Sequence, residues 1–476
     1  MLRLLYASIW MFLLAGQVQA EGEINAVPAR LNTADTDIAP ANSIAITPEK
    51  PVSAISPTET EKLHARQLQL VPSKIELLRS TVKATTAEKG FFSSLFSTKI
   101  NPVDTDLLAE MDSFIDRFSE LEETAEIYHL KAQVYKRIDS HPAAALNWLM
   151  LLAAYPNSPF VTEAQNGLKE LSDNKLKKQA PVIKMMTENI GSLNGDRDHR
   201  VAAFLISLGT LREADFAAPI SAECAAFLSR NRTYSEEDRI EHTLAHQQML
   251  FSNDVAIYHF NKLLALYSNS TLRPDSMLSI GLIQRKGLKH YDQAAESFKS
   301  VIEKYPDSDE TKQAYESLAN MYDEDMRNYA NAIKTYDTLV ARYKTDPVVL
   351  RGLQALARIY QDKTHQPVQA IETYRKLAEI FKGKEGLEAL TKAEKLAFYT
   401  LKDWNLSIDI NDRIIALFPN NDEAAVAMYA NAGIFEENLK QPEMAIKLYH
   451  ELINSYPRHE LSKEAKRRSD ALEKKK

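Results

Sequence analysis

AAESFKSVIEKYP, residues 294–306, decides the fold. A small residue stands at Ala294, and aromatics follow four and eleven residues on, at Phe298 and Tyr305. In an α-helix these offsets fall on one face. Pro306 comes directly after, and a proline disfavours the α conformation in the residue before it. The stretch therefore reads as an amphipathic helix with a built-in stop. It also recurs. Ala256 leads to Phe260 and Tyr267, Ala332 to Tyr336 and Tyr343, Ala370 to Tyr374 and Phe381, Ser407 to Asn411 and Phe418, Ala445 to Tyr449 and Tyr456. The starting points are 38, 38, 38, 37 and 38 residues apart.

A second helix is written into the same period. Thirteen residues before the small residue stands another, at Gly281, Ala319, Ala357 and Ala432, and an aromatic follows at Tyr322, Tyr360 and Phe435. Each unit is thus a pair of helices. One pair cannot bury its apolar face alone, so neighbouring pairs must stack. The pattern predicts an all-α superhelical solenoid of antiparallel hairpins, in units of about 38 residues, over 253–476. Around 390–406, Leu396, Ala397 and Tyr399 are out of register, which predicts a shortened or bent hairpin there. Asp307, Ser308 and Asp309 can cap the helix after Pro306.

This small–aromatic pattern resembles the tetratricopeptide repeat, although the step exceeds that family's usual 34 residues or so. The Tyr-Pro-Asp-Ser ending at 305–308 resembles the helical-hairpin scaffolds of Gram-negative envelope assembly. The resemblance implies a binding groove lined by the first helix of each unit. Carried over position by position, the groove residues are Arg285, Lys286, Asn320, Asp323, Arg358, Gln361, Asp362, Glu436 and Glu437. A basic end and an acidic end would orient an extended peptide by charge.

The period extends upstream once. Ala144, Trp148 and Tyr155 precede Pro156, so 106–178 reads as amino-terminal hairpins of the same kind. Residues 179–252 read as degenerate helical hairpins or as an inserted helical piece, with helices at 181–190, 198–213, 219–230 and 235–251. Segment 61–105 reads as a helical entry segment, in which Phe91, Phe92 and Phe96 are a capping cluster or a docking motif. Residues 21–60 carry five prolines among small polar residues and no apolar period, the texture of a disordered linker. Residues 1–20 read as a secretory signal: Arg3, then an apolar run from Leu4 to Ala15, then small residues at Val18 and Ala20. The apolar run is short of the ~20 residues that span a bilayer, and no cysteine follows the cleavage position, so a periplasmic or secreted destination is expected.

Composition narrows the chemistry. Net charge is −7, which offers no electrostatic attraction to nucleic acid. The single cysteine, Cys224, excludes an internal disulfide and sits in an apolar run that suits burial. His242 and His246 have a metal-capable spacing, but Thr243 stands where a zinc protease needs Glu, and no third ligand is evident. Asp196, Asp198 and His199 read as turn residues. No phosphate-binding glycine loop or nucleophile elbow occurs. The expectation is a non-enzymatic exported scaffold without cofactor or metal. It would bind extended segments of other envelope proteins, with at most peripheral membrane contact. The alternatives are a solenoid that binds polysaccharide or peptidoglycan, and an accessory subunit of an enzyme complex.

Overall fold

The computed structural model describes residues 57–87 and 102–474. The expected signal, most of the linker, and Phe91, Phe92 and Phe96 lie outside them. The chain divides into two units at Gln69 and Leu70. Of the first, the described residues begin helix α1 (Pro57–Ala87), so helix starts inside the stretch read as linker to residue 60. No described helix is long and apolar enough to cross a membrane.

The second unit is helical among its described residues. After α1 come α2 (Pro102–Phe118), α3 (Thr124–Arg137), α4 (His141–Ala154), α5 (Val161–Asp173), α6 (Ala180–Gly191), α7 (Arg197–Ser207), α8 (Ala214–Arg230), α9 (Glu237–Gln248) and α10 (Asn253–Leu266). Then follow α11 (Arg273–Leu282), α12 (Tyr291–Lys304), α13 (Asp309–Asn320), α14 (Tyr329–Tyr343), α15 (Pro347–Arg358) and α16 (Pro367–Ile380). The last are α17 (Lys384–Lys395), α18 (Trp404–Leu417), α19 (Asp422–Gly433), α20 (Pro442–Ser455) and α21 (Glu460–Glu473). From α9 onward each helix packs on the helices before and after it in sequence. First helices also touch the next first helix, as α11 with α13, α13 with α15 and α19 with α21. This nearest-neighbour pattern is a solenoid. The hairpin stacking reaches back to Glu237, since α9 is the first helix of the hairpin that α10 completes.

The period residues sit where the packing argument needs them. Ala256, Ala294, Ala332, Ala370, Ser407 and Ala445 are fully buried, as are Phe260, Phe298 and Tyr449. Gly281 shows why the small residue is needed: a Cβ there would lie 2.7 Å from Cε1 of Phe298. Helix propensity favours Gly281→Ala by about 1 kcal/mol, but overpacking of a filled core costs about 1–3 kcal/mol. The expected net loss is about 0–2 kcal/mol in denaturant unfolding. The predicted stops are also present. Tyr155, Tyr305, Phe418 and Tyr456 leave the helix with φ near −130°, each before a proline. Of the expected caps, Ser308 takes the cap position of α13, but its side chain accepts no backbone N–H.

From α11 to α20 each hairpin turns through a feature the period does not announce. α11, α13, α15, α17 and α19 run on into π-helical turns at Ile283–Leu288, Met321–Asp325, Ile359–Lys363, Leu396–Leu401 and Ile434–Asn438. Each is followed by an exposed non-glycine residue in left-handed backbone: Lys289, Arg327, His365, Lys402 and Lys440. That conformation costs roughly 1–2 kcal/mol outside glycine. Closing bonds run from Asn328 N to Tyr322 O and from Gln366 N to Tyr360 O, both 2.7 Å. The α3–α4 hairpin closes one residue tighter, from Ser140 N to Tyr135 O, with Asp139 left-handed. The array turn is thus an ordinary helix-ending motif widened by one residue.

The hairpin expected to be short or bent is not short. α17 has 12 residues, as do α13, α15 and α19. Its irregularity is chemical. Glu394 takes the place of a small residue, and the Ser407 hydroxyl donates to it at 2.9 Å. Asn411 takes the place of an aromatic and donates to Asn431 of the next helix at 2.9 Å. Polar pairs replace apolar ones without altering the backbone.

Residues 102–230 are arranged differently. α4 is buried on every side, from Ala143 to Ala154, and packs against α3, α5, α6, α7 and α8. A helix that is apolar all round belongs at the centre of a core. The degenerate-hairpin segment therefore wraps this central helix. α7 ends at Ser207, earlier than the sequence suggests, and α8 starts at Ala214 with Pro219 in its second turn.

Candidate functional site

The nine groove residues all lie at the ends of the first helices or in the π-helical turns that follow them. Most belong to a ladder of charges tying each hairpin to the next. Arg285 Nε reaches Asp325 at 2.6 Å, and its Nη2 reaches Glu324 at 3.2 Å. Asp323 is buried and pairs with Arg358 from the following first helix. Burial raises the pKa of Asp323, and the Arg358 charge opposes this. Glu436 accepts from the Tyr449 hydroxyl at 2.9 Å and meets Arg468 Nε at 2.9 Å, while Glu437 pairs with the same arginine. Asn320 is half-buried and accepts from the Tyr336 hydroxyl. Lys286 is exposed and makes no ion pair among the described residues. Arg351–Glu316 adds a rung between first helices, and Arg413–Glu379 makes a similar pair between the second helices α16 and α18, each about one repeat apart.

Three of the nine do meet. Arg358, Gln361 and Asp362 line an open cleft of about 710 Å³ between α15, α16 and α17. Gln354, Lys392, Lys395, Leu396, Tyr399 and Thr400 complete its first-helix walls. Tyr374 from α16 closes the floor, where its hydroxyl donates to Gln361 at 3.1 Å and Lys392 Nζ sits 5.9 Å from its ring. Burial raises the Tyr374 pKa, so it stays a neutral donor. Lys392 and Lys395 are exposed and have no carboxylate partner among the described residues. Arg358, paired with Asp323, also lines the cleft, with Asp362 as the acid in its lining. Tyr399 stands at the rim, 71% exposed. The cleft is basic, with one aromatic platform and one aliphatic contact, Leu396.

The tetratricopeptide-repeat profile matches residues 275–308 and 425–459. These stretches span α11–α12 and α19–α20, two hairpins of the array. The chain carries tetratricopeptide repeats. Solved structures with similar folds include a tetratricopeptide repeat protein from Parabacteroides merdae, at 15% identity, covering 51% of this chain and 92% of that one with a TM-score of 0.29. Another is the C-terminal part of a TPR repeat-containing protein from Cytophaga hutchinsonii, at 18% identity, 53% and 95% coverage and a TM-score of 0.35. Yeast Tom70 shares 13% identity over 88% of this chain and 96% of that one, with a TM-score of 0.24. No curated protein sequence is similar to the chain.

A tetratricopeptide array is suited to protein–protein interaction, and its cleft contains residues that position counting missed. Lys392, Lys395 and Tyr399 lie in the one unit whose register is shifted, so counting from the small residue passed them over. An aromatic at Tyr399, where the other units carry Lys286, Glu324, Asp362 and Glu437, was the available signal. Outside the array, Asp196 caps α7 by accepting from His199 N at 2.8 Å, and Asp198 pairs with Arg197 at 2.7 Å. Cys224 is fully buried, and burial pushes its thiol pKa far up, away from reactivity. The histidine pair has a third neighbour that the sequence did not supply: Asp275, from α11, lies 2.6 Å from His242 and 2.8 Å from His246.

Proposed function

We propose that the chain is a non-catalytic scaffold whose α15–α17 cleft holds an extended acidic segment of a partner protein. The observation that carries this is the pair Lys392 and Lys395, exposed and unpaired beside Tyr399 in an array whose other cleft-facing cations are mostly spent on the ladder. Unpaired cations on a rigid wall attract an acidic chain and set its direction. Tyr399 and Leu396 supply the apolar contact that gives such a segment affinity. The amino-terminal pattern, Arg3 followed by Leu4–Ala15 and Val18-Gln19-Ala20, supports export, and the partner is then an envelope protein.

A photo-crosslinking residue at Tyr399 in the native host tests the reading. Position 399 is preferable to Asn320, which is engaged by Tyr336. One dominant protein is expected, and Lys392→Glu with Lys395→Glu should cut its yield about tenfold or more, consistent with 1.4 kcal/mol or more from two lost charge contacts. An unchanged crosslink in the double variant removes the acidic-segment reading. The exposed aromatic at Tyr399 also favours a polysaccharide partner. That partner would survive both charge reversals and be lost with Tyr399→Ala.

A further inference from the structure

Helices α9 and α11 bring three metal-ligand atoms to one point, at a distance from the cleft in sequence. His242 and His246 stand one turn apart on α9, with their Nε2 atoms 3.2 Å apart. Asp275, in the first turn of α11, places Oδ2 2.6 Å from His242 Nε2 and 2.8 Å from His246 Nε2. The Phe260 ring meets both imidazoles edge-on, at centroid distances of 6.0 and 5.1 Å, and holds their orientation. We propose that His242, His246 and Asp275 bind a divalent first-row transition ion of the zinc class, with the fourth position open to water.

The geometry favours an ion over a simple pair of hydrogen bonds. If both imidazoles donate Nε2–H to one oxygen, two N–H groups converge at 3.2 Å and repel. A cation at that point replaces the repulsion with coordination. Tetrahedral zinc, with bonds of about 2.0–2.1 Å, spaces its ligand atoms about 3.3 Å apart. The two nitrogens are already at that spacing. The Asp275 oxygen must withdraw by roughly 0.5–0.7 Å to reach it, and its side chain is partly exposed and free to do so. Two nitrogens and one carboxylate oxygen form a donor set that zinc and its neighbours accept. Binding would clip the first hairpin of the array to the second.

One neighbour opposes the ion and makes the proposal sharp. Arg212 Nη2 lies 3.2 Å from His246 Nδ1. When Nε2 ligates a metal, Nδ1 carries the proton and needs an acceptor. Arginine has none and adds a like charge. Arg212 is exposed, and its Nη1 donates to the Gly209 and Leu211 carbonyls, so its Nη2 can swing away when the ion enters. Arg212→Gln supplies an amide oxygen for Nδ1–H and removes the charge, so it should tighten binding.

Cobalt(II) titration of the metal-stripped full chain, read by the visible ligand-field absorption and competed with zinc, tests this. Wild type should saturate at one equivalent. His242→Gln and Asp275→Asn should weaken binding by about 10–100-fold or more, and Arg212→Gln should strengthen it. His242 and Asp275 are chosen because buried His246 packs on Phe260 and its loss could disturb the fold. Zinc should raise the melting temperature of wild type and leave that of His242→Gln unchanged. No saturable band in wild type, or equal bands in His242→Gln and Asp275→Asn chains of native circular dichroism, overturns the site.

Discussion

Tyr336→Ala is expected to destabilise the middle of the array by about 3–5 kcal/mol. Tyr336 is only 1% exposed, at the joint of α14 with the hairpins on either side. Ala319, Leu356 and Ile359 surround it, and its hydroxyl donates to Asn320. Truncation removes the ring, opens a cavity and leaves the Asn320 side-chain amide oxygen without its donor. Tyr336→Phe keeps the ring and should cost about 1 kcal/mol. In a solenoid each hairpin leans only on its neighbours, so the loss should be local. Hydrogen exchange should accelerate first in α13–α16, while α4 and α8 keep their protection. Uniform acceleration along the whole chain would show that the array unfolds as one unit with the amino-terminal helices.

Lys131→Met should be similarly damaging, by about 3–5 kcal/mol, for an electrostatic reason. Lys131 on α3 is buried between Asp112, at 2.6 Å, and Glu223 of α8, at 3.3 Å. Burial alone would lower its pKa. The Glu223 and Asp112 charges outweigh burial and hold the pKa well above the ordinary lysine value. Without the ammonium, Glu223 is left as a buried carboxylate with its compensating charge gone. The double variant Lys131→Met, Glu223→Met removes both charges and should recover most of the loss, because well-packed apolar residues often replace a buried ion pair at little cost. Denaturant unfolding read separately at Trp148, beside this pair's helices, and at Trp404, in the array, checks both statements. Equal loss in single and double variants would mean that Lys131 acts through its packing.

The repeat was legible because its information is local. The offsets of four, eleven and thirteen residues from Ala294 or Ala332 describe one helix face and its partner, and short-range geometry converts them directly into hairpins. Asn411 and Glu394 depart from that pattern, and an apolar period cannot register a polar substitution matched by another. Their partners, Asn431 and Ser407, become visible only when the helices are packed. The partners of the groove residues were hidden for a related reason. Arg285, Asp323 and Glu436 were placed on the right helices, but their partners lie about one repeat away, and no helical offset predicts which charge they meet. The buried run AAALNWLMLLAA at 143–154 did carry a readable sign of a central helix, in its lack of any polar face.

The sequence by itself determined the all-helical class, the hairpin period and the stops at Tyr-Pro, since each depends on contacts within one unit or between a unit and its repeat. Only the tertiary structure decided which charges are paired and which remain exposed. It brought Lys392 and Lys395 to an open wall, consumed Arg285 and Glu437 in the ladder, and carried Asp275 across to His242 and His246. Those outcomes depend on distances between side chains from different hairpins. A repeat pattern specifies that neighbouring hairpins stack. The atoms that meet across the stack are selected by the whole packed array.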